Sequence, residues 1–170
     1  MKKDSKLFQE GRETFPLWWI ALENIGFLLN WGIAFVLLLP FSYDGIPVVS
    51  YCYLAILVII QVLLKKHNCS GCFYYGKWCH LGWGKLSCLF FKQDSGDAGI
   101  GMKLSLSYIL QLPVILIAAL VAGFLYGFTR INVVLLIVFV IINSLQGFLR
   151  KKTCAVCKAR FICKGSAAAS

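Results

Sequence analysis

Cysteine is the residue whose spacing carries chemistry in this chain. Cys69 and Cys72 form a Cys-x-x-Cys pair followed by Cys79, and Cys154 and Cys157 form a second pair followed by Cys163. A Cys-x-x-Cys loop lets two sulfurs converge on one metal, and two such pairs supply the four thiolates of a tetrahedral zinc site. Three thiolates per array also suit an iron–sulfur cluster, with Cys88, a histidine or a small molecule as fourth ligand. His67 and His80, the only 2 histidines, flank the first array and are candidate replacements for a thiolate. A metal-free thiol pair or a transient soft-metal relay is the remaining chemistry for these spacings. Cys52 stands apart inside an apolar run and reads as a small apolar side chain.

The arrays end a longer repeat. The run Gln61-Val-Leu-Leu-Lys-Lys-His-Asn-Cys-Ser-Gly-Cys72 aligns without gaps to Gln146-Gly-Phe-Leu-Arg-Lys-Lys-Thr-Cys-Ala-Val-Cys157. Identity falls at Gln61/Gln146, Leu64/Leu149, Lys66/Lys151, Cys69/Cys154 and Cys72/Cys157, with Lys65/Arg150 a conservative match. In spacing alone, Cys154–Cys163 resembles the auxiliary cluster-binding segments of some radical enzymes. Those continue to a further cysteine, and none follows Cys163 here, so the resemblance implies no function.

Each copy of the repeat closes a long apolar segment. The chain is 59% hydrophobic and 14% charged, against roughly 45–50% and 25% for an ordinary soluble domain. Four runs, at 16–40, 47–64, 105–128 and 131–149, reach the roughly 20 apolar residues that cross a bilayer. The expected fold is therefore an all-α integral membrane protein with four transmembrane helices arranged as two duplicated hairpins. Hairpins of equal orientation are related by a pseudo-two-fold axis along the membrane normal. The expected organisation is an N-terminal segment 1–15, a first hairpin 16–66 and a Cys-rich loop 67–103. A second hairpin 104–152 and a Cys-rich C-terminus 153–170 complete it. Met1 to Thr14 is polar, and no small-x-small site follows, so the N-terminus is expected to be retained. The small residues of 165–170 are set aside as a tail.

Charge orients these spans. Of the 17 Lys and Arg residues, only Arg130 lies in a short connection; the other sixteen border the N-terminal, central and C-terminal stretches. With four spans all three stretches share one side, which the positive-inside rule makes cytoplasmic. The expected location is a cell or organelle inner membrane, multi-pass, with both termini cytoplasmic. In that reducing compartment clustered Cys-x-x-Cys points to metal or redox chemistry rather than disulfides. The net charge of +10 is explained by topology and by attraction to anionic headgroups. Nucleic acid is not needed to account for it, even with aromatics interleaved among lysines at Phe73–Trp78.

Inside the spans, helix rise places Glu23, Gln61, Gln111 and Gln146 at similar depth below the arrays, with Asn24 and Asn143 nearby and Asn30 deeper. These four are the candidate cofactor-binding residues, a polar layer for a lipophilic carrier's headgroup, a proton or a metal ion. The bland reading is interhelical hydrogen bonding. Leu81–Lys92 is expected to lie in the membrane interface, with Trp83, Leu86, Leu89 and Phe90 toward lipid, and 93–101 to be a loop. No Ser/His/Asp set or phosphate-cradling glycine motif is present, so enzymatic activity stays open. The expected function is a redox, iron–sulfur or other metal-cofactor membrane component. The alternative is a structural-zinc membrane scaffold or accessory subunit, with a soft-metal transporter a third reading. Expected partners are the bilayer and a lipophilic carrier or membrane-complex subunit, with a homo-oligomer compatible.

Overall fold

The computed structural model describes residues 7–163 and 166–168. Lys2, Lys3, Lys6 and Lys164 of the basic stretches, and Gly165, Ala169 and Ser170 of the tail, lie outside the described residues.

The described residues are helical with no strand. Six helices follow in order: α1 Leu17–Leu37, α2 Val48–Leu64, α3 Trp83–Phe90, α4 Ala98–Ser105, α5 Ser107–Tyr126 and α6 Arg130–Ala155. A π-helical turn, Lys65–Cys69, continues α2. Four stretches are long and apolar enough to cross a membrane: Leu17–Leu37, Val48–Cys69, Ala98–Tyr126 and Arg130–Ala155. Their apolar side chains point largely outward. Leu28, Ile56, Phe124 and Ile131 are all more than half exposed. Left in water, each such side chain would forgo about 1.5–3 kcal/mol of burial, a cost that a surrounding bilayer removes.

Local chemistry sets the helix ends. Pro16 stands as the residue capping α1, one position earlier than a first-turn proline, and its carbonyl accepts from the Trp19 and Ile20 amides at 3.1 and 3.2 Å. Between α1 and α2, Asp44 and Gly45 both adopt positive φ (49° and 76°). That is the backbone of a tight reversing turn, and Tyr43 and Ile46 exchange two 2.9 Å hydrogen bonds across it. Thr129 caps α6, accepting from the Asn132 amide at 3.2 Å.

Helix α1 is the hub, packing on α2, α5 and α6, while α5 packs on α6 and α2 on α4. One buried cluster, Ala34, Leu37, Leu38, Ile115 and Phe139, fills the bundle near the short connections. A second, Phe15, Ile20, Tyr74 and Ala159, lies at the opposite end under the Cys-rich segments.

The structure revises two local expectations. Residues 98–101 are helical rather than loop, because the Asp97 carboxylate caps α4 by accepting from the Gly99 and Ile100 amides at 2.6 and 3.2 Å. Trp83 turns toward the bundle instead of lipid, with the Lys65 ammonium 4.5 Å from its ring and Phe27 6.2 Å away. Leu86, Leu89 and Phe90 on the same short helix are exposed.

Candidate metal centre

Three chain segments meet over the second cluster. The amide of Phe8 donates to the Lys158 carbonyl (3.0 Å), that of Arg12 to the Val156 carbonyl (2.9 Å), and that of Phe15 to the Trp78 carbonyl (3.0 Å). Tyr74 is the clasp. Its hydroxyl donates to the Arg12 carbonyl and accepts from the Lys158 amide at 3.0 Å. The N-terminal segment, the loop after α2 and the segment after α6 thus form one cap.

Both Cys-x-x-Cys pairs leave a helix in the same way. Cys69 ends the π turn and Cys154 lies in the last turn of α6. In each, the second cysteine's amide bonds back to the first one's carbonyl, Cys72 to Cys69 at 3.3 Å and Cys157 to Cys154 at 3.2 Å. The next turn repeats the pattern, Tyr75 to Cys72 at 3.1 Å and Arg160 to Cys157 at 3.0 Å. The wide π turn releases carbonyls from the helical ladder, and the buried Ser87 hydroxyl on α3 donates to that of Lys65 at 3.0 Å. Loop and α3 pack closely enough that a Cβ on Gly84 would overlap the Tyr74 carbonyl.

Cys72, Cys79 and Cys157 all pack against the Phe15–Tyr74–Ala159 cluster. Burial is the main cause that raises their thiol pKa values, Cys72 to about 12, Cys157 to about 11, and Cys79 in the same direction. Backbone amides pull the other way: Tyr74 on Cys72, Ala159 on Cys157, and the Leu81–Gly84 backbone on Cys79. The Gly84 amide lies 3.4 Å from the Cys79 sulfur. Charge on Cys163, Cys79 or Cys157 further disfavours a thiolate at Cys72, so the two arrays lie within electrostatic reach of one another. Without a bound cation these are protonated thiols, poor nucleophiles. Among the described residues, no three His, Cys, Asp or Glu side chains stand at the spacing that holds a metal ion.

The flanking candidates divide. The Cys88 thiol turns back onto α3, donating to the Lys85 carbonyl at 3.0 Å. His67 Nδ1 accepts from the Asp97 amide at 3.0 Å, joining the π turn to the α4 cap. His80 is engaged by Glu23, with Nδ1 2.6 Å from Oε2. Cys52 is exposed on α2.

The polar residues within the spans resolve into separate partnerships. Glu23 also accepts from Trp19 Nε1 (2.6 Å) and the Thr153 hydroxyl (3.0 Å). Gln61 donates to the Tyr108 hydroxyl at 2.7 Å, and Gln111 to the Tyr53 hydroxyl at 2.8 Å. Gln146 joins Asn30, which lies against Asn143. One amide atom of Gln61 and one of Gln146 remain buried without a partner. The two pockets described are lined mainly by apolar residues, around Leu37 and Phe128 and along Leu136 and Ile141, and include neither Glu23 nor a cysteine.

Sequence reasoning missed Tyr74 as the clasp and Thr153 and Trp19 as partners of Glu23. The one available signal was position, since Thr153 immediately precedes Cys154 and His80 follows Cys79. No protein-family model matches this chain, and neither does any curated protein or solved structure.

Proposed function

We propose that this chain is a multi-pass membrane protein whose Cys-rich cap carries a thiolate-bound metal, with the cap and both termini on the cytoplasmic side of a cell or organelle inner membrane. The observation that carries this reading is the shared packing of Cys72, Cys79 and Cys157 on one buried cluster, each sulfur met by backbone amides. Such amides stabilise sulfur-borne charge, and a bound cation would offset the burial that now holds the thiols protonated. Loading requires the side chains to rotate inward, since they stand apart at present.

In this reading the bundle is two duplicated hairpins. Within each hairpin the two long helices pack on one another, α1 on α2 and α5 on α6, and α1 also meets α5, which supports that arrangement. The metal is an iron–sulfur cluster serving electron transfer to a membrane partner. Three cysteines in each array suit iron–sulfur ligation, in which one further ligand completes the set. The second reading is structural zinc, favoured by the way the cap ties three chain segments together. A transporter is disfavoured, because Cys52 faces outward from α2 rather than lining a path.

Anaerobic purification in detergent separates the two. Brown protein containing iron and sulfide is expected for the first reading; colourless protein with stoichiometric zinc moves the assignment to the second. Orientation is tested by an impermeant thiol reagent on intact cells, and labelling of Cys79 or Cys163 from outside would overturn it.

A further inference from the structure

We propose that the two cysteine arrays build one shared metal centre, so that a single ion or cluster ties the loop after α2 to the segment after α6. This rests on the metal reading above and specifies how its ligands are drawn.

The argument begins with ligand count. Either thiolate chemistry ordinarily takes four protein ligands per centre, and each array supplies three. Within the first array's own neighbourhood two of the three candidate fourth ligands are turned elsewhere. Cys88 turns back to the Lys85 carbonyl and His67 Nδ1 holds the Asp97 amide, whereas the Glu23 carboxylate on His80 Nδ1 leaves Nε2 open, the arrangement that orients a metal-ligating histidine. The second array has no histidine near it in sequence and no cysteine after Cys163. A fourth ligand for the second array is therefore found across the cap.

Three contacts already bring the arrays to that position. Tyr74, two residues after Cys72, reaches the Lys158 amide beside Cys157. The backbones of Arg12 and Cys157 pair as an isolated bridge, so the N-terminal segment closes over the same place. Glu23 bonds His80, which follows Cys79, and Thr153, which precedes Cys154. One carboxylate from α1 thus holds the end of one array and the start of the other.

The test is metal stoichiometry on the full chain in detergent, as purified anaerobically and after equilibration with zinc alone. The expected result is one zinc, or the iron of one cluster, per chain. Cys72→Ser and Cys157→Ser should each lower bound metal by more than about tenfold, since losing a ligand costs at least what losing an outer-shell partner does. Cys88→Ser should retain it. Two centres per chain, with each variant keeping half, would overturn the shared centre and leave the metal reading standing. No bound metal in either preparation would overturn both. Should the serine variants fail to fold, alkylation of the wild-type chain during chelation decides the point. Cysteines of both arrays are expected to become reactive together, and release of one array before the other would overturn the shared centre.

Discussion

The carboxylate of Glu23 and the imidazole of His80, far apart in sequence, meet with Oε2 and Nδ1 2.6 Å apart. The same carboxylate accepts from Trp19 and Thr153, so it joins α1 to the first cap loop and to the end of α6. An acid inside an apolar span is costly unless its oxygens are matched by donors, and here every partner comes from the cap end of the molecule.

Replacing Glu23 by Ala leaves those donors without an acceptor. Stability should fall by about 1–3 kcal/mol per buried group left unsatisfied. Glu23→Gln, which keeps one acceptor, should lose less. Thermal unfolding in detergent ranks the two, and equal stability of all three chains would mean that the carboxylate does not hold the cap.

Tyr74→Phe removes only a hydroxyl, yet that hydroxyl serves both the Arg12 carbonyl and the Lys158 amide. A loss of about 1–3 kcal/mol is expected, together with faster proteolysis of the N-terminal segment. Protease susceptibility unchanged from wild type would count against the clasp.

Gly84→Ala places a methyl group against the Tyr74 backbone and should destabilise by about 1–3 kcal/mol through overpacking. Gly147→Ala on α6 meets nothing within 4 Å and should be neutral or stabilising by about 0.5–1 kcal/mol. A paired melting experiment reads the opposite signs.

Gln61 and Tyr108 form an interhelical hydrogen bond of the sort that averages about 0.6 kcal/mol in membranes. A double-mutant cycle with Gln61→Leu and Tyr108→Phe should return a coupling of that order, with the double variant close to wild type. Coupling near zero would remove this pair from the side-chain links between α2 and α5.

The chelated chain should lose stability in alkali. Burial raises Cys72 to about 12 and Cys157 to about 11, above the ordinary thiol range. As pH climbs past that range the unfolded chain gives up these protons while the folded one keeps them. The unfolded state then binds fewer protons, and folding stability declines until pH passes the folded values. Melting temperatures should be level between about pH 6 and 8 and fall by pH 10; a flat profile to pH 10 would show that the thiols are not buried as described.

The sequence alone determined the spans, because a bilayer reads only the length and apolarity of a run. Leu17–Leu37, Val48–Cys69 and the two later spans fall close to the expected runs. Their ends shifted where local chemistry intervened. Asp97 starts a helix early, and α6 runs through the basic residues to Ala155, since its amides and carbonyls remain satisfied by helical bonds. The cysteine spacing was equally plain in the sequence, and the two Cys-x-x-Cys turns follow from short-range hydrogen bonds within each.

Only the tertiary structure decided which groups share an environment. Side chains of similar depth on four helices were compatible with a single polar layer. The rotation of each helix instead sends Gln61 to Tyr108, Gln111 to Tyr53 and Glu23 to His80 and Thr153. Depth follows from counting residues along one helix, whereas azimuth depends on how all the helices pack. For the same reason the approach of Cys72 to Cys157 through Tyr74 and Lys158 was absent from either array's spacing. It arises where α1, the loop after α2 and the end of α6 meet over Phe15 and Ala159.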